Sequence, residues 1–200
     1  MNNKIVHIVL NTFENDSRVL RQCKSLNENG KDVTIIAIWS SELKLNEKNN
    51  WANIIRIPIK SKPWGSNHII KIIKYLEFCI KSIRVIYKIR PMICHAHDPD
   101  ALFIGYISKT LFNTKLIYDS HELWSASKYL NTNNHLLYKI GNFLEKKLII
   151  KADSVITVCN SIAELIKEKY VISNINVLRN VPNRVEITKK YIKEELGFPQ

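Results

Sequence analysis

Two short runs of the sequence place histidines beside carboxylates. The first, HAHD, contains His97 and Asp98, and the second, DSHE, contains Asp119, His121 and Glu122. An imidazole exchanges protons near neutral pH, and a carboxylate beside it can orient the ring or stabilise its charge. These residues therefore predict a site that hydrogen-bonds hydroxyl groups or moves protons. His97 is the strongest single candidate for the catalytic residue because it ends a predicted strand.

Polar residues also follow two other predicted strands. Asn15, Ser17 and Arg18 come after the first strand, and Asn160 comes after a later one. Arg18 lies in the first turn of a predicted helix, where the helix dipole disfavours a cation. Its position is consistent with a nearby anion, and an ordinary surface arginine explains it equally well.

Each candidate also has a purely structural explanation. His95 shares a strand face with His97, and its simplest role is that of a packed core histidine. His97 itself can be a loop or helix-capping residue. Asp98 and Asp100 begin a helix, where carboxylates favour capping. The DSHE run can serve as a turn followed by an N-cap.

The same histidines raise the question of a metal or a bound cofactor. His95, His97, Asp119 and His121 could supply a two-histidine, one-carboxylate set. The further histidines of metallohydrolase patterns are missing, so we predict no metal site. The first strand is followed by NTFEND instead of G-x-G-x-x-G, and no P-loop is present, so we predict no cofactor site in this chain.

The elements that must position these residues alternate between strands and helices. Apolar runs and their flanking Gly, Pro and capping residues delimit them. Predicted strands cover 4–10, 32–39, 53–59, 92–97, 115–119, 153–158 and 175–178, and predicted helices cover 17–29, 68–90, 98–111, 136–151 and 161–170, with a loop over 40–50. This order predicts an α/β fold, Rossmann-like and doubly wound, with a mainly parallel sheet and helices on both faces. In such sheets ligands bind at the carboxyl ends of the strands, where the candidate residues lie.

Composition narrows the possible partners. The chain has 200 residues, 46% of them hydrophobic, which suits one domain and excludes a disordered basic tail. The four cysteines lie far apart and are expected to be reduced. We find no signal segment and no membrane span, and expect a cytoplasmic protein, either free or peripheral on the inner face of the cytoplasmic membrane.

The formal net charge of +12 is concentrated in residues 56–90 and 123–151. On the long helix, five basic residues form one stripe, and apolar residues fill the opposite side, as on a helix that covers a sheet. The basic residues are Lys71, Lys74, Lys81, Arg84 and Lys88; the apolar ones are Ile69, Ile72, Leu76, Cys79, Ile80, Ile83 and Tyr87. The stripe can be a solvated lysine face or a contact for an anionic membrane. Nucleic acid is not expected, because no aromatic residues are interleaved with the stripe.

Taken together, five segments resemble the amino-terminal domain of family 4 glycosyltransferases, which have the two-domain GT-B architecture. The segments are NDSRVLRQCKSLNENGKDVTII (15–36), ICHAHDPDALFIGYISK (93–109), KLIYDSHELW (115–124), KADSVITVCNSIAELIKEKY (151–170) and NINVLRNVPN (174–183). Members of this family transfer a sugar from a nucleotide-sugar to an acceptor, usually with retention and without a metal. Their amino-terminal domain mainly holds the acceptor, and their carboxy-terminal domain holds the donor.

The resemblance implies roles for particular residues. His97 corresponds to the family's active-site histidine, and Asp119, His121 and Glu122 line the same cleft. Asn180 lies at the crossing between the domains, and Ser17 and Arg18 belong to the element that approaches the acceptor or the donor diphosphate. Many members have a glycine-rich loop after the first strand, and this chain has FENDS there.

The resemblance also implies a domain division, with an acceptor-side domain over 1–183 and a linker or the start of a donor domain over 184–200. We expect the chain to bind a lipid-linked or polysaccharide acceptor, as in polysaccharide biosynthesis, and to need a nucleotide-sugar and a donor domain for turnover. A separate chain that supplies the donor domain is one possibility; a truncated enzyme and an excised domain are the others. Two alternatives remain open. One is a non-catalytic binding module derived from such an enzyme, and the other is a metal-dependent hydrolase.

Overall fold

The computed structural model describes residues 2–14, 16–65, 67–121 and 135–181, with the backbone alone for 135–140. The strands are β1 (Lys4–Ile8), β2 (Asp32–Ile38), β3 (Asn46–Lys48), β4 (Asn53–Ile57), β5 (Ile93–His97), β6 (Lys115–Ser120), β7 (Ser154–Thr157) and β8 (Ile175–Val177). The helices are α1 (Ser17–Glu28), α2 (His68–Ile89), α3 (Asp98–Phe112), α4 (His135–Leu148) and α5 (Asn160–Tyr170), with 3-10 turns at Lys62–Trp64 and Ile149–Lys151.

These strands form a single sheet in the order β3-β4-β2-β1-β5-β6-β7-β8. All neighbouring pairs are parallel except β3 with β4. The predicted doubly wound fold is therefore confirmed. The predicted loop over 40–50 is wrong at β3, whose three polar residues show no apolar alternation. The strand order reverses between β1 and β5, and the crevice at such a reversal is the usual ligand site of this kind of sheet.

The ends of the elements follow the local sequence. Asp16 caps α1 by accepting a hydrogen bond from the backbone amide of Val19, and Gly30 turns the chain after α1 with a positive φ of 73°. Pro99 lies in the first turn of α3, where the missing amide proton costs nothing.

The sheet separates two apolar clusters. Alternate residues of the central strands point to opposite faces. One cluster contains Val6, Ile36 and Cys94 together with residues of α2 and α3, and the other contains Val9 and Ile35 together with residues of α1. On the α1 side, inward positions of β5 and β6 hold the buried polar residues His95, His97 and Asp119, and this departure from an apolar core marks the candidate site.

The long helix α2 differs from the sequence prediction. Its buried residues are Phe78, Cys79, Ser82 and Ile86, so Cys79 lies in the core as expected. The expectation that the whole apolar side covers the sheet is wrong, because Ile69, Ile72, Leu76, Ile80 and Tyr87 are exposed. These residues are exposed because the apolar face of α2 is wide and the neighbouring elements cover only one edge of it. None of the helices in the described part of the chain is long and apolar enough to cross a membrane.

Candidate functional site

The candidate site lies where the carboxyl ends of β1, β5 and β6 meet. A cleft of about 570 Å³ opens there, lined by the loop after β1, the start of α1, His121, Val158 and Asn180. The strand register explains the meeting of the side chains, since His7 pairs with His95 and His97 pairs with Asp119. The sheet thus places on one face the residues that the sequence separates by up to 112 positions.

Three histidines form a chain of imidazoles that leads from the interior to the cleft. His7 Nδ1 lies 2.8 Å from His97 Nε2, and His97 Nδ1 lies 3.2 Å from His121 Nε2. Each contact is a hydrogen bond in which one ring donates and the other accepts. His97 therefore uses both of its ring nitrogens inside the protein.

The solvent exposure of these imidazole rings differs between the interior and the cleft. The His97 side chain is 2% exposed, whereas that of His121 is 21% exposed and lines the cleft. The turn from β5 into α3 contributes to this arrangement, because Asp98 adopts a left-handed φ of 63°, a conformation that Asp tolerates better than most residues. The role of His97 as the catalytic residue stays a prediction, and the ring that faces the cleft is His121.

The carboxylate of Asp119 is the centre of the site. It accepts hydrogen bonds from Arg18 at 2.7 and 3.2 Å and from Gln22 at 2.7 Å, and it is fully buried. Arg18 is 6% exposed, so it is not a surface arginine, and the anion beside it is Asp119. Gln22 lies one helical turn after Arg18 on the same face of α1, and that spacing was the signal in the sequence for a residue we did not predict.

Three histidine nitrogens also surround this carboxylate. His95 Nε2, His97 Nδ1 and His121 Nε2 lie 3.8, 3.7 and 3.7 Å from Asp119 Oδ2. Burial by itself would raise the pKa of Asp119, but the His121 imidazole 3.7 Å away and the hydrogen bonds from Arg18 lower it well below its usual range. Asp119 is thus a permanent anion whose charge Arg18 neutralises.

The histidines divide into neutral interior rings and one titrating ring at the cleft. Burial lowers the pKa of His7 and of His97 well below the usual value, and lowers that of His95 to about 4. Burial also acts to lower the pKa of His121, but the Asp119 carboxylate 3.7 Å away and the charge of Asp98 raise it above the usual value. His121 is therefore the ring of this cluster that takes up a proton most readily.

Two sets of these residues have the spacing of metal ligands. The ligand atoms within each set lie within 4.8 Å of one another; the sets are His7, His95 and His97, and His97, Asp119 and His121. In the second set Asp119 Oδ2 already accepts from Arg18 and Gln22. A cation bound there would have to displace or repel the guanidinium, so this donor set suits Arg18 better than a metal ion.

The other predicted site residues occupy varied positions. Ser17 lines the cleft, and Asn180 lines it while accepting a hydrogen bond from Arg21. The Oδ2 of Asp98 lies 3.6 Å from His121 Nδ1. Asn160 is exposed at the start of α5 and is not among the residues that line the cleft. Asn15, Glu122 and the segment 184–200 lie outside the described residues.

The structure adds residues that the sequence analysis did not select. His7 completes the imidazole chain, and a histidine inside the apolar run of β1 was the available signal. Asn11, Thr12 and Glu14 line the cleft beside Ser17. The Nη1 of Arg18 donates to the carbonyl of Leu178 at 2.7 Å, which ties α1 to the segment after β8.

Comparison with known proteins gives a family match and a common fold. The model of the family described as Glycosyltransferase Family 4 matches residues 17–185. Comparison with curated protein sequences gave no significant match.

Three solved structures share the fold. Sucrose-phosphate synthase from Thermosynechococcus elongatus superimposes with a TM-score of 0.69 and 15% identity, over 88% of this chain and 48% of that one. A glycosyltransferase from Rickettsia africae has a TM-score of 0.62 and 18% identity, over 100% of this chain and 50% of that one. Anabaena HepE, in complex with UDP-glucose, has a TM-score of 0.55 and 12% identity, over 88% and 43%. This chain thus spans about half the length of each of these proteins.

Proposed function

Because the chain belongs to glycosyltransferase family 4, we propose that it is the acceptor-binding half of an enzyme that moves a sugar from a nucleotide-sugar to a hydroxyl group of a lipid-linked or polysaccharide acceptor. The fold is that of an amino-terminal domain of GT-B glycosyltransferases. The cleft at the strand-order reversal is the place where such a sheet binds ligands.

One observation supports the acceptor role most directly. His121 presents a titratable imidazole to a cleft whose other lining groups are mostly polar, among them Asn11, Thr12 and Asn180. Hydroxyl-rich ligands are recognised by hydrogen bonds from groups of these kinds. We therefore assign to His121 the binding and orientation of the acceptor hydroxyl.

The remaining site residues hold His121 in place. Asp98 and Asp119 stabilise its charged form, and His97 lies behind it, in contact with its Nε2. For His97 to touch the acceptor itself, one of its two imidazole contacts would have to break. In this proposal His97 is a positioning residue for His121 in the arrangement described.

The proposed reaction needs only the nucleotide-sugar and the acceptor hydroxyl. The bond between the anomeric carbon and the diphosphate oxygen breaks, and the acceptor oxygen forms a bond with the same carbon. The hydroxyl proton leaves on the departing diphosphate. We expect retention of configuration and no metal, as the family resemblance implies. The nucleotide-sugar is bound by a donor domain, and this chain alone is expected to bind acceptor without turnover, because a second wall is needed to position both substrates.

The proposed setting is the cytoplasmic face of a membrane in polysaccharide biosynthesis. Anabaena HepE binds UDP-glucose, which supports a nucleotide-sugar as the donor class. The net charge of +12 supports an anionic surface as a further partner.

Acceptor binding can be tested with simple glycosides. Saturation-transfer NMR with octyl glucoside, octyl galactoside and octyl mannoside, each below its micelle concentration, should detect binding of at least one glycoside. His121→Ala should weaken that binding about tenfold or more, the loss of one hydrogen bond to a charged group. His68→Ala, at the exposed start of α2, is the matched control and should bind as the wild type does.

Two results would contradict the proposal. One is a folded protein that binds none of the glycosides, and the other is binding that His121→Ala leaves unchanged. Separately, sugar transfer from UDP-glucose to a glycoside by the 200-residue chain alone would contradict the need for a donor domain.

A further inference from the structure

The surface of α2 divides into three sectors, and one of them is an unusual exposed apolar face. The first sector is buried against the core and α3 and contains Phe78, Cys79, Ser82 and Ile86. The second is apolar and exposed, and the third is basic. Six residues form the exposed apolar sector: Ile69, Ile72, Ile73, Leu76, Ile80 and Tyr87.

The three sectors are contiguous around the helix. At about 100° per residue, the six exposed apolar residues fall within an arc of about 100°, and the five basic residues occupy the adjoining arc of about 140°. Single exposed apolar residues are common on protein surfaces, but six on one face of one helix form a patch. We call this patch the apolar stripe.

An exposed tryptophan extends the stripe at the amino-terminal end of α2. Trp64 ends the 3-10 turn just before α2 and is 63% exposed, and Ile69, in the first turn of α2, is 70% exposed. Tryptophan is enriched where proteins meet the headgroup level of a bilayer, because its ring is apolar and its N–H is polar. The stripe thus ends in the residue type that favours such an interface.

The basic sector distinguishes a lipid surface from an uncharged apolar partner. Lys74 and Lys81 are partly engaged, since their ammonium groups donate to the carbonyls of Gly65 and Pro58. Among the described residues, Lys71, Arg84 and Lys88 have no side-chain hydrogen bond or ion pair. The single acid of α2, Glu77, pairs with Lys81 and accepts from Ser61, so it does not neutralise the three free cations.

The geometry of α2 points to a helix that lies in the plane of a membrane. We propose that α2 docks on an anionic bilayer, with the apolar stripe and Trp64 inserted among the upper acyl chains and with Arg84 and Lys88, the free cations beside the stripe, at the lipid phosphates. Charge complementarity selects anionic lipid as the occupant. Twenty-two residues give a contact of about 33 Å along the helix.

The docked orientation places the membrane near the cleft. Helix α2 follows β4 and precedes β5, so its amino-terminal end lies at the edge of the sheet where the parallel strands end. Tyr75 donates to the carbonyl of Asp100 at 2.8 Å, which links α2 to the start of α3 beside that edge. The docking of α2 on a membrane does not depend on the proposed function. The further idea that a lipid-linked acceptor reaches the cleft from this membrane rests on the proposed function.

Vesicle flotation tests the docking directly. The wild-type chain should float with vesicles of equimolar phosphatidylcholine and phosphatidylglycerol, and about tenfold less with phosphatidylcholine alone. The charge-reversal variant Arg84→Glu with Lys88→Glu should lose about tenfold or more in apparent affinity at low salt. The double variant Ile69→Asn and Ile80→Asn should lose the part of the binding that resists high salt.

A matched control uses exposed apolar residues elsewhere. Leu165 and Val171 are 48% and 90% exposed on and just after α5, and Leu165→Asn with Val171→Asn should leave flotation unchanged. Insertion has its own readout, because lipids brominated in the upper acyl chain should quench wild-type fluorescence more than that of Trp64→Phe.

Three outcomes would overturn the docking proposal. The first is no flotation with anionic vesicles, and the second is flotation that the stripe variant, Ile69→Asn with Ile80→Asn, leaves unchanged. The third is that brominated lipids quench the fluorescence of the wild type and of Trp64→Phe equally. Concentration-dependent self-association that the stripe variant abolishes, without vesicle binding, would identify the stripe as a protein contact and also overturn it. Glycoside binding by NMR needs no vesicles, so failure of docking and failure of the acceptor proposal can be told apart.

Discussion

Replacing Asp119 by asparagine tests the electrostatic centre of the site. The carboxylate is fully buried and accepts from Arg18 Nη2 at 2.7 Å, from Arg18 Nε at 3.2 Å and from Gln22 at 2.7 Å. An asparagine of the same shape has one oxygen and one NH₂ group, whereas the groups of Arg18 and Gln22 that face it are all donors. The amide therefore leaves the guanidinium without its counter-charge and turns one donor towards another.

The expected loss follows from the burial of the pair. Removing one partner of a buried ion pair costs about 3–5 kcal/mol, because the remaining charge is left uncompensated. With a urea dependence of about 2 kcal/mol per M, the unfolding midpoint should fall by about 1.5–2.5 M. Arg18→Lys keeps the charge and loses the two-pronged geometry, so its loss should be smaller.

The same change should alter the pH dependence of stability. The folded-state pKa of Asp119 lies below its unfolded value, so the carboxylate contributes stability that is present above about pH 4 and is lost as the pH falls. Wild-type stability should therefore decline below about pH 4, and the part of this decline that comes from Asp119 should be missing in Asp119→Asn.

Urea unfolding followed by circular dichroism measures both effects. Glu164→Gln is the control, since its partner Lys167 lies 2.9 Å away in an exposed pair that should contribute less than about 1 kcal/mol. A midpoint for Asp119→Asn equal to that of Glu164→Gln would refute the idea that Asp119 and Arg18 hold the site together.

Two further predictions concern the packing of α3 and the charge of His121. A Cβ added at Gly105 would lie 2.5 Å from Leu116 Cδ1 and 3.3 Å from Ala96 Cβ, so Gly105→Ala should lower the free energy of unfolding by about 1–3 kcal/mol. Thr110→Ala, on the exposed side of α3, should change it by less than about 1 kcal/mol, and equal urea midpoints for the two variants would contradict the close packing. Asp98→Asn removes a charge that raises the pKa of His121, so the midpoint of the His121 ring-proton NMR titration should move to lower pH. An unchanged midpoint would show that Asp98 does not support the charge of His121.

Much of the fold could be predicted from the sequence because its signals are local. The apolar runs of β1 and β2, the cap at Asp16 and the turn at Gly30 all depend on residues close together in the chain. The strand β3 could not be predicted in this way. Its residues, NEK, are polar, and they pair with β4 only because that edge of the sheet is available.

The sequence could predict which residues form the candidate site, but not how these residues are arranged in space. The HAHD and DSHE runs fall at strand ends, as predicted. The order in which their histidines lie from the protein interior to the cleft depends on strand register and on the φ of Asp98. That order places His97 between His7 and His121 and leaves His121 at the cleft. The partner of Arg18 is 101 residues away, so no local pattern could have identified Asp119 as that partner.

By itself the sequence determined the α/β class, the residue types at the strand ends and the family. It also determined the basic and apolar periodicities of α2, since side-chain spacing along a helix or strand is a property of the chain alone. Only the tertiary structure decided which histidine meets the cleft, that Arg18 pairs with Asp119, and that Ile69 and Ile80 face outward. Burial and charge pairing depend on which elements pack together, and those contacts join residues that are distant in the sequence.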